Sequence, residues 1–210
     1  QLDSIAIPAS STHSLSSAAG DIDGDGDVDL VVGLDSSPAD PSALRVLIND
    51  GRGLFRDEAT LRFAPGGGRR CVTVDLGDVD EDGDLDLLIG LTPAAIASGG
   101  LAAELWLNDG AGNFKYLSTR FAPIPIGANS ALLEDMDEDG RLDIVLGGSR
   151  YRELSPGVYA LDGEEVRVYW NEGYGDFPRG DLILKNCGSA ALAAGDLNKD
   201  GRVDLAVGAL

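Results

Sequence analysis

Asp78-Val79-Asp80-Glu81-Asp82-Gly83-Asp84-Leu85-Asp86 is one of four copies of a single pattern in this 210-residue chain. The others run 21–29, 135–143 and 196–204, and each reads acid-x-(Asp/Asn)-x-Asp-Gly-x-x-Asp. Every copy enters an apolar tail that ends in glycine: Leu30-Val31-Val32-Gly33, Leu87-Leu88-Ile89-Gly90, Ile144-Val145-Leu146-Gly147 and Leu205-Ala206-Val207-Gly208. Oxygen side chains at alternate positions, folded back by a glycine at the sixth, converge on one hard cation. Calcium takes roughly six to eight oxygens at about 2.3–2.6 Å, so the pattern predicts one structural Ca2+ per loop.

Side-chain ligands are expected at positions one, three, five and nine. These are Asp21, Asp23, Asp25 and Asp29; Asp78, Asp80, Asp82 and Asp86; Asp135, Asp137, Asp139 and Asp143; and Asp196, Asn198, Asp200 and Asp204. Position seven, held by Asp27, Asp84, Arg141 and Arg202, is expected to offer its backbone carbonyl. The fourth site has Asn198 for a carboxylate, with Lys199 and Arg202 beside it. Fewer negative ligands predict the weakest site, the first to empty under a chelator.

Two rivals are weighed against this reading. EF-hand and dockerin-type loops begin alike but require an acidic ligand at position twelve. Here that position is Val32, Ile89, Leu146 or Val207, so a short loop entering a β-strand fits instead. A plain acidic turn would gather like charges without a cation, which raises carboxyl pKa values and costs several kcal/mol. Four repetitions of that cost argue for the metal.

The loops start at 21, 78, 135 and 196, giving periods of 57, 57 and 61 residues. Between them a second motif recurs: Asn49-Asp50-Gly51-Arg52-Gly53-Leu54-Phe55, Asn108-Asp109-Gly110-Ala111-Gly112-Asn113-Phe114 and Asn171-Glu172-Gly173-Tyr174-Gly175-Asp176-Phe177. Asn and Gly tolerate the positive φ of tight turns, so each motif predicts a hairpin after an apolar strand. The Phe is expected to anchor packing between neighbouring sheets.

One unit therefore reads as four strands, placed in the second repeat at 71–76, 85–89, 104–107 and 115–121. Fourth strands are also expected at 59–65, 117–123 and 2–8. Four antiparallel strands repeated around an axis make a β-propeller blade. The expected fold is all-β, a single propeller domain over 1–210 of about four blades. Repeats fall at 9–65, 66–123, 124–185, and 186–210 joined with 1–8. The last blade lacks a third strand, so either the chain is a piece of a larger propeller or another molecule completes the blade.

These residues resemble the FG-GAP and VCBS repeat families, the integrin-like calcium propellers. The Asp-rich loops followed by Leu or Ile, the Leu205-Ala206-Val207-Gly208-Ala209 ending and the Asn-Asp-Gly-x-Gly-x-Phe turns carry the likeness. It implies a β-propeller with Ca2+ in the loop joining the first two strands of each blade. Members serve in adhesion, glycan binding, secreted enzymes and surface assemblies, so the likeness implies fold and metal rather than one function.

A formal charge of −20 and a pI near 4.1 argue against nucleic acid and anionic membranes as partners. Four bound Ca2+ would bring −20 + 8 = −12. No stretch approaches the ~18 apolar residues of a membrane span. Millimolar calcium outside cells suits such sites, so a secreted or cell-surface location is expected. Cys71 and Cys187 sit similarly ahead of their loops, which leaves open a disulfide or two small buried hydrophobes.

A structural, self-assembling or adhesion module that pairs its open blade with another chain, or with its own kind, is the leading expectation. The alternative is a glycan-binding lectin using Tyr151 and Tyr159 in the insertion 147–165, although exposed aromatics are common without a ligand. Trp106 and Trp170 are expected in the core. A second alternative is a fragment of a lyase-type polysaccharide-degrading enzyme. His13 and the serines of 10–17 are read as a solvated connector, which leaves no evident base and favours a non-enzyme.

Overall fold

The computed structural model describes residues 13–35, 44–62, 71–91, 103–117, 126–155, 158–187 and 191–208. The strand expected at 2–8 and most of that at 117–123 lie outside them. The first sheet is β1 (Ser14–Gly20), β2 (Asp29–Leu34), β3 (Leu44–Asn49) and β4 (Phe55–Asp57), followed by one helical turn, α1 (Ala59–Arg62). The second is β5 (Cys71–Gly77), β6 (Asp86–Leu91), β7 (Ala103–Asn108) and β8 (Phe114–Tyr116). The third is β9 (Ile126–Glu134), β10 (Asp143–Ser155), β11 (Val158–Trp170) and β12 (Arg179–Lys185). A two-stranded sheet, β13 (Ala191–Gly195) and β14 (Asp204–Gly208), comes last. Each sheet is an antiparallel meander in sequence order.

The sheets stack through their faces as propeller blades do. Strand β1 packs beside β5, β5 beside β9, and β9 beside β13. The row is not closed: among the described residues no comparable packing joins the last sheet to the first. This geometry explains the apolar tails. In β6, Leu87 and Ile89 face the first sheet, in a core with Ile22, Val31 and Val46. Leu88 faces the third, in a core with Ile144, Leu146 and Tyr169. A strand buried on both faces must be apolar at every position, not at alternate ones. Leu87 and Leu88 are both fully buried, and each such side chain stabilises by about 1.5–3 kcal/mol.

A hydroxyl five residues before each of the first three loops stitches one inner strand to the next. The Val74 N–H donates to Ser16 Oγ (3.2 Å), Thr73 Oγ1 donates to the Ala131 carbonyl (3.3 Å), and the Leu192 N–H donates to Ser130 Oγ (3.1 Å). Ala191 holds that place in the last sheet and has no hydroxyl. Close approach also explains the glycine that ends β5: a Cβ on Gly77 would lie 2.6 Å from Leu142 Cδ1 of the next loop.

Several expectations are corrected. Residues Ser14 to Ser17 are not a connector but part of β1. His13, just outside it, is exposed and accepts the Asp35 N–H through its carbonyl (2.9 Å). Of the strand placed at 59–65, residues 59–62 are instead α1, closed by the Arg62 N–H donating to the Glu58 carbonyl (3.1 Å), and 63–65 lie outside the described residues; the fourth strand of that sheet comes earlier, at β4. Likewise β8 begins on Phe114 itself, not after it. The insertion 147–165 is not a loop; it continues β10 and β11 into a hairpin whose pairing reaches Ser155↔Val158. Bulges after Arg150 and Glu153 absorb its extra residues.

Two of the three Phe anchors behave as expected, whereas Phe55 is half-buried against Val32, Leu34 and Leu47 of its own sheet. Phe114 is buried between the first two sheets and Phe177 between the second and third. Trp106 and Trp170 are half-buried against the cores rather than sealed in them, and Trp106 packs on Tyr116 with centroids 5.2 Å apart. Cys71 and Cys187 are free thiols. Burial pushes the Cys71 thiol up to about 12, which keeps it unreactive at neutral pH. Among the described residues no helix is long and apolar enough to cross a membrane.

Candidate metal centres

Each acidic loop joins the first strand of a sheet to its second, where the sheet's own geometry brings the loop ends together. The glycine at position six takes a positive φ in all four loops: 91° at Gly26, 96° at Gly83, 92° at Gly140 and 87° at Gly201. Position four does the same, which the sequence does not advertise. Gly24 has φ 74°, but Glu81 (65°), Glu138 (62°) and Lys199 (65°) carry side chains there. The left-handed region costs such residues about 1–2 kcal/mol, against the ~0.5–1 kcal/mol of chain entropy a glycine would lose. Lys199→Gly is therefore expected to stabilise the protein by about 0.5–1 kcal/mol in urea melts, while Lys199→Ala gives no gain. A gain equal in both variants would place the effect in the lost charge instead.

The carboxylates fall into distinct roles. Position one collects backbone N–H groups: Gly24 and Gly26 donate to Asp21, Asp82 and Gly83 to Asp78, and Asp139 and Gly140 to Asp135, all at 2.9–3.2 Å. In the fourth loop Lys199, Asp200 and Gly201 donate to Asp196. Position five accepts from position seven: Asp27 to Asp25, Asp84 to Asp82, Arg141 to Asp139 and Arg202 to Asp200.

Position nine clamps both ends of the turn. Asp29 accepts the Ile22 N–H (2.9 Å) and the Asn49 N–H (2.8 Å). Asp86 accepts Val79 and Asn108, and Asp143 accepts Met136 and Asn171, within 2.8–3.1 Å. All three are buried to within 1 %. Burial pushes Asp86 up to about 7 and Asp143 up to about 6; Asp29 is raised by the same cause. The two N–H donors on each oppose the shift, and the neighbouring loop carboxylates add to it.

Position three differs. Asp23 Oδ1 and Asp80 Oδ1 are buried and accept no hydrogen bond. Burial, then the charges of Asp82 and Asp78, raises the Asp80 carboxyl. The structure gathers three clusters whose ligand atoms lie within 4.8 Å of one another, two of them around these orphaned oxygens (Asp21, Asp23 and Asp29; Asp78, Asp80 and Asp82) and a third of Asp135, Asp137 and Asp143 with Asp137 exposed. Asp25, Asp86 and Asp139 belong to the same loops but fall outside those groups. No such trio of acids forms in the fourth loop among the described residues, where the Asn198 amide donates to Asp200 (3.1 Å).

Position seven has a side-chain role that its assignment as a carbonyl ligand overlooked. The Asp84 carboxylate sits against Gly110 of its own hairpin turn, where a Cβ would lie 2.5 Å from Oδ2, and Asp27 sits against Gly51 in the same way. Arg141 pairs with Asp139 and donates to the Asn171 carbonyl (2.9 Å). Arg62 of α1 also reaches a loop, donating to Asp23 Oδ2 (3.3 Å) and to the Ala111 carbonyl of the next sheet (2.6 Å). Tyr151 and Tyr159, the candidate sugar platform, lie on opposite strands of the long hairpin, paired with Leu161 and Glu153.

The functional residue that sequence reasoning passed over is the asparagine opening each hairpin turn. The Asn108 Nδ2 donates to Leu85 in its own loop (3.1 Å) and to Ile22 in the loop of the preceding sheet (2.8 Å). Asn171 repeats this with Leu142 (3.1 Å) and Val79 (2.7 Å). Its backbone N–H meanwhile goes to position nine, so one residue ties two loops to one turn.

Comparison with known families bears on this repeated architecture. Residues 21–89 match the FG-GAP-like repeat and residues 189–209 match the FG-GAP repeat. The chain carries FG-GAP repeats. The third sheet lies between the two matches and has the same loop, the same turn asparagine and the same strand order as its FG-GAP neighbours. No curated protein matches the chain by sequence.

Proposed function

We propose that this chain is a secreted, calcium-stabilised, non-enzymatic propeller module that serves extracellular assembly or adhesion. The observation that carries the calcium reading is the pair of buried oxygens, Asp23 Oδ1 and Asp80 Oδ1, with no hydrogen-bond donor. A buried carboxylate oxygen without a partner is expensive. A divalent cation held by positions one, three, five and nine would satisfy it. All-oxygen, carboxylate-rich donors are the set that hard cations prefer, and calcium tolerates the irregular geometry that magnesium does not. When bound, the ion would supply positive charge that fixes the loop between the first two strands.

A non-enzymatic role is favoured because the carboxylates that a sugar-cleaving pair would need are engaged by backbone N–H groups in the loops. The assembly reading is supported by the open row of blades, whose last sheet has only the two strands β13 and β14 among the described residues.

Equilibrium dialysis of the ion-depleted protein against calcium tests the core of this. Three strong sites are expected, with a weaker fourth where Asn198 replaces a carboxylate. Magnesium at equal concentration should displace little calcium. Failure to retain calcium at millimolar free ion would overturn the reading. Size measurement with and without calcium then tests assembly, since a monomer under both conditions favours a binding module over a self-assembling one.

A further inference from the structure

We infer that Arg62 is a resident cation of the first acidic loop, which holds Asp23 in the absence of metal and lowers the calcium affinity of that loop below that of the second. This rests on the calcium reading above and explains how two loops with the same ligands come to differ. Both carry Asp at positions one, three, five and nine, so ligand charge alone ranks them equal.

Arg62 ends α1, and its guanidinium is held from three sides. Nε and Nη2 reach Glu58 Oε2 at 3.0 and 2.9 Å, one turn back on the same helix. Nη2 also pairs with Asp23 Oδ2 (3.3 Å), at position three of the first loop. Nη1 donates to the Ala111 carbonyl in the hairpin turn of the second sheet (2.6 Å). Gly112 leaves the room for it, since a Cβ there would collide with Nη1. The Arg62 side chain is only 11 % exposed, so solvent and salt screen its charge less than that of a surface arginine.

Position three is where the charge matters. Asp23 Oδ1 is buried without a hydrogen bond, so this carboxylate has one oxygen on the guanidinium and one left for a metal ion. Asp80 Oδ1 of the second loop is buried in the same way, but no basic side chain pairs with Asp80 among the described residues. Gly175 is the repeat equivalent of Gly112. A Cβ there would meet Asp80 Cβ (3.5 Å) and Leu117 Cδ2 (3.7 Å), so a leucine stands where the first site has its guanidinium. In the third loop Arg141 pairs with Asp139, but it is more exposed, at 31 %, and solvent takes more of its charge. A fixed positive charge beside one ligand repels an arriving divalent ion and competes for the same carboxylate. Without metal it does the reverse, since it balances Asp23 and ties the loop to the second sheet through Ala111.

The test is calcium binding to the full chain, measured by competition with a chromophoric chelator. Arg62→Gln is expected to tighten one strong site by about five- to tenfold, and Arg62→Met, which keeps the packing of the stem, to do the same. Arg62→Lys keeps the charge and should stay close to the native affinity. Adding Asp23→Asn should abolish the tightening, which assigns it to the first loop. A merely structural arginine predicts the opposite sign, because its loss would loosen the loop and weaken the site. Urea melts in ion-depleted buffer supply the second readout: stability should fall in the same charge-free variants whose calcium affinity rises. Unchanged or weaker binding in both charge-free variants, or tightening that survives Asp23→Asn, would overturn the inference. If the native chain binds calcium and the variants match it, this inference alone falls; if the native chain binds none, the calcium reading falls and takes it along.

Discussion

Stripped of divalent ions, the protein is expected to lose stability as pH rises from about 4 to about 7, and calcium is expected to reverse that slope. The groups responsible are the position-nine carboxylates. Their ordinary value is 3.8, and burial pushes Asp86 up to about 7 and Asp143 up to about 6, with Asp29 also raised. A raised carboxyl pKa means that the folded state holds a proton the unfolded state has released. Stability is then greatest below 3.8, where both states are protonated, and declines until the folded carboxyl has ionised too. At about 1.4 kcal/mol per pH unit, the combined loss is on the order of a few kcal/mol, since two backbone N–H donors already stabilise each anion.

Calcium inverts this, because it binds ionised carboxylates and displaces their protons. Each site held at about a thousand times its Kd adds ~4 kcal/mol to the folded state. Urea melts at pH 5 and pH 8, in ion-depleted buffer and in calcium, measure both slopes. The net charge of −20 also repels itself more at high pH, but surface repulsion is screened by salt while buried carboxylates are not. A depleted-state slope that vanishes in ~0.5 M NaCl would assign the effect to overall charge and sink the account given for Asp86.

What the sequence shows of this protein depends on how local the cause is. The loops were legible because ligands at alternate positions and a glycine at the sixth are fixed by the chain's own geometry over nine residues. The unbroken apolar run Leu87-Leu88-Ile89 was legible as a strand, and its burial on both faces explains why it does not alternate. The left-handed residues Glu81, Glu138 and Lys199 were not, since nothing in a charged side chain signals the backbone beneath it. Ala59-Thr60-Leu61-Arg62 was read as a strand by analogy with its repeats. Arg62 instead reaches Asp23 and Ala111 from a helical turn, a contact across 49 residues that no local pattern shows. The long hairpin of β10 and β11 was hidden for the opposite reason, since its two bulges break the period-two pattern that marks a strand.

The turn asparagine is the clearest case of a residue whose turn propensity masks its tertiary role, and Asn171→Ala is expected to be among the costliest single substitutions. The side chain is 97 % buried by its 3 % exposure, donates to Val79 and Leu142, and accepts the Gly173 N–H (2.9 Å). Alanine keeps the backbone bond to Asp143 but strands two carbonyls and one N–H away from water. At about 1–3 kcal/mol for each stranded group, and with partial relaxation, the loss should be about 3–4 kcal/mol. Asn49→Ala is the internal control. That side chain donates to Val28 in its own loop (3.1 Å) and accepts the Gly51 and Gly53 N–H groups, but among the described residues it reaches no other sheet and it is half-exposed. Its loss should be about 1 kcal/mol, because water replaces what is removed. Comparing the two variants in urea isolates the tie between sheets. A reduced m-value for Asn171→Ala would show the sheets unfolding separately, as expected if this residue carries the coupling between them. Equal losses in the two variants would mean that face-to-face apolar packing joins the sheets unaided and that the asparagine serves only its own turn.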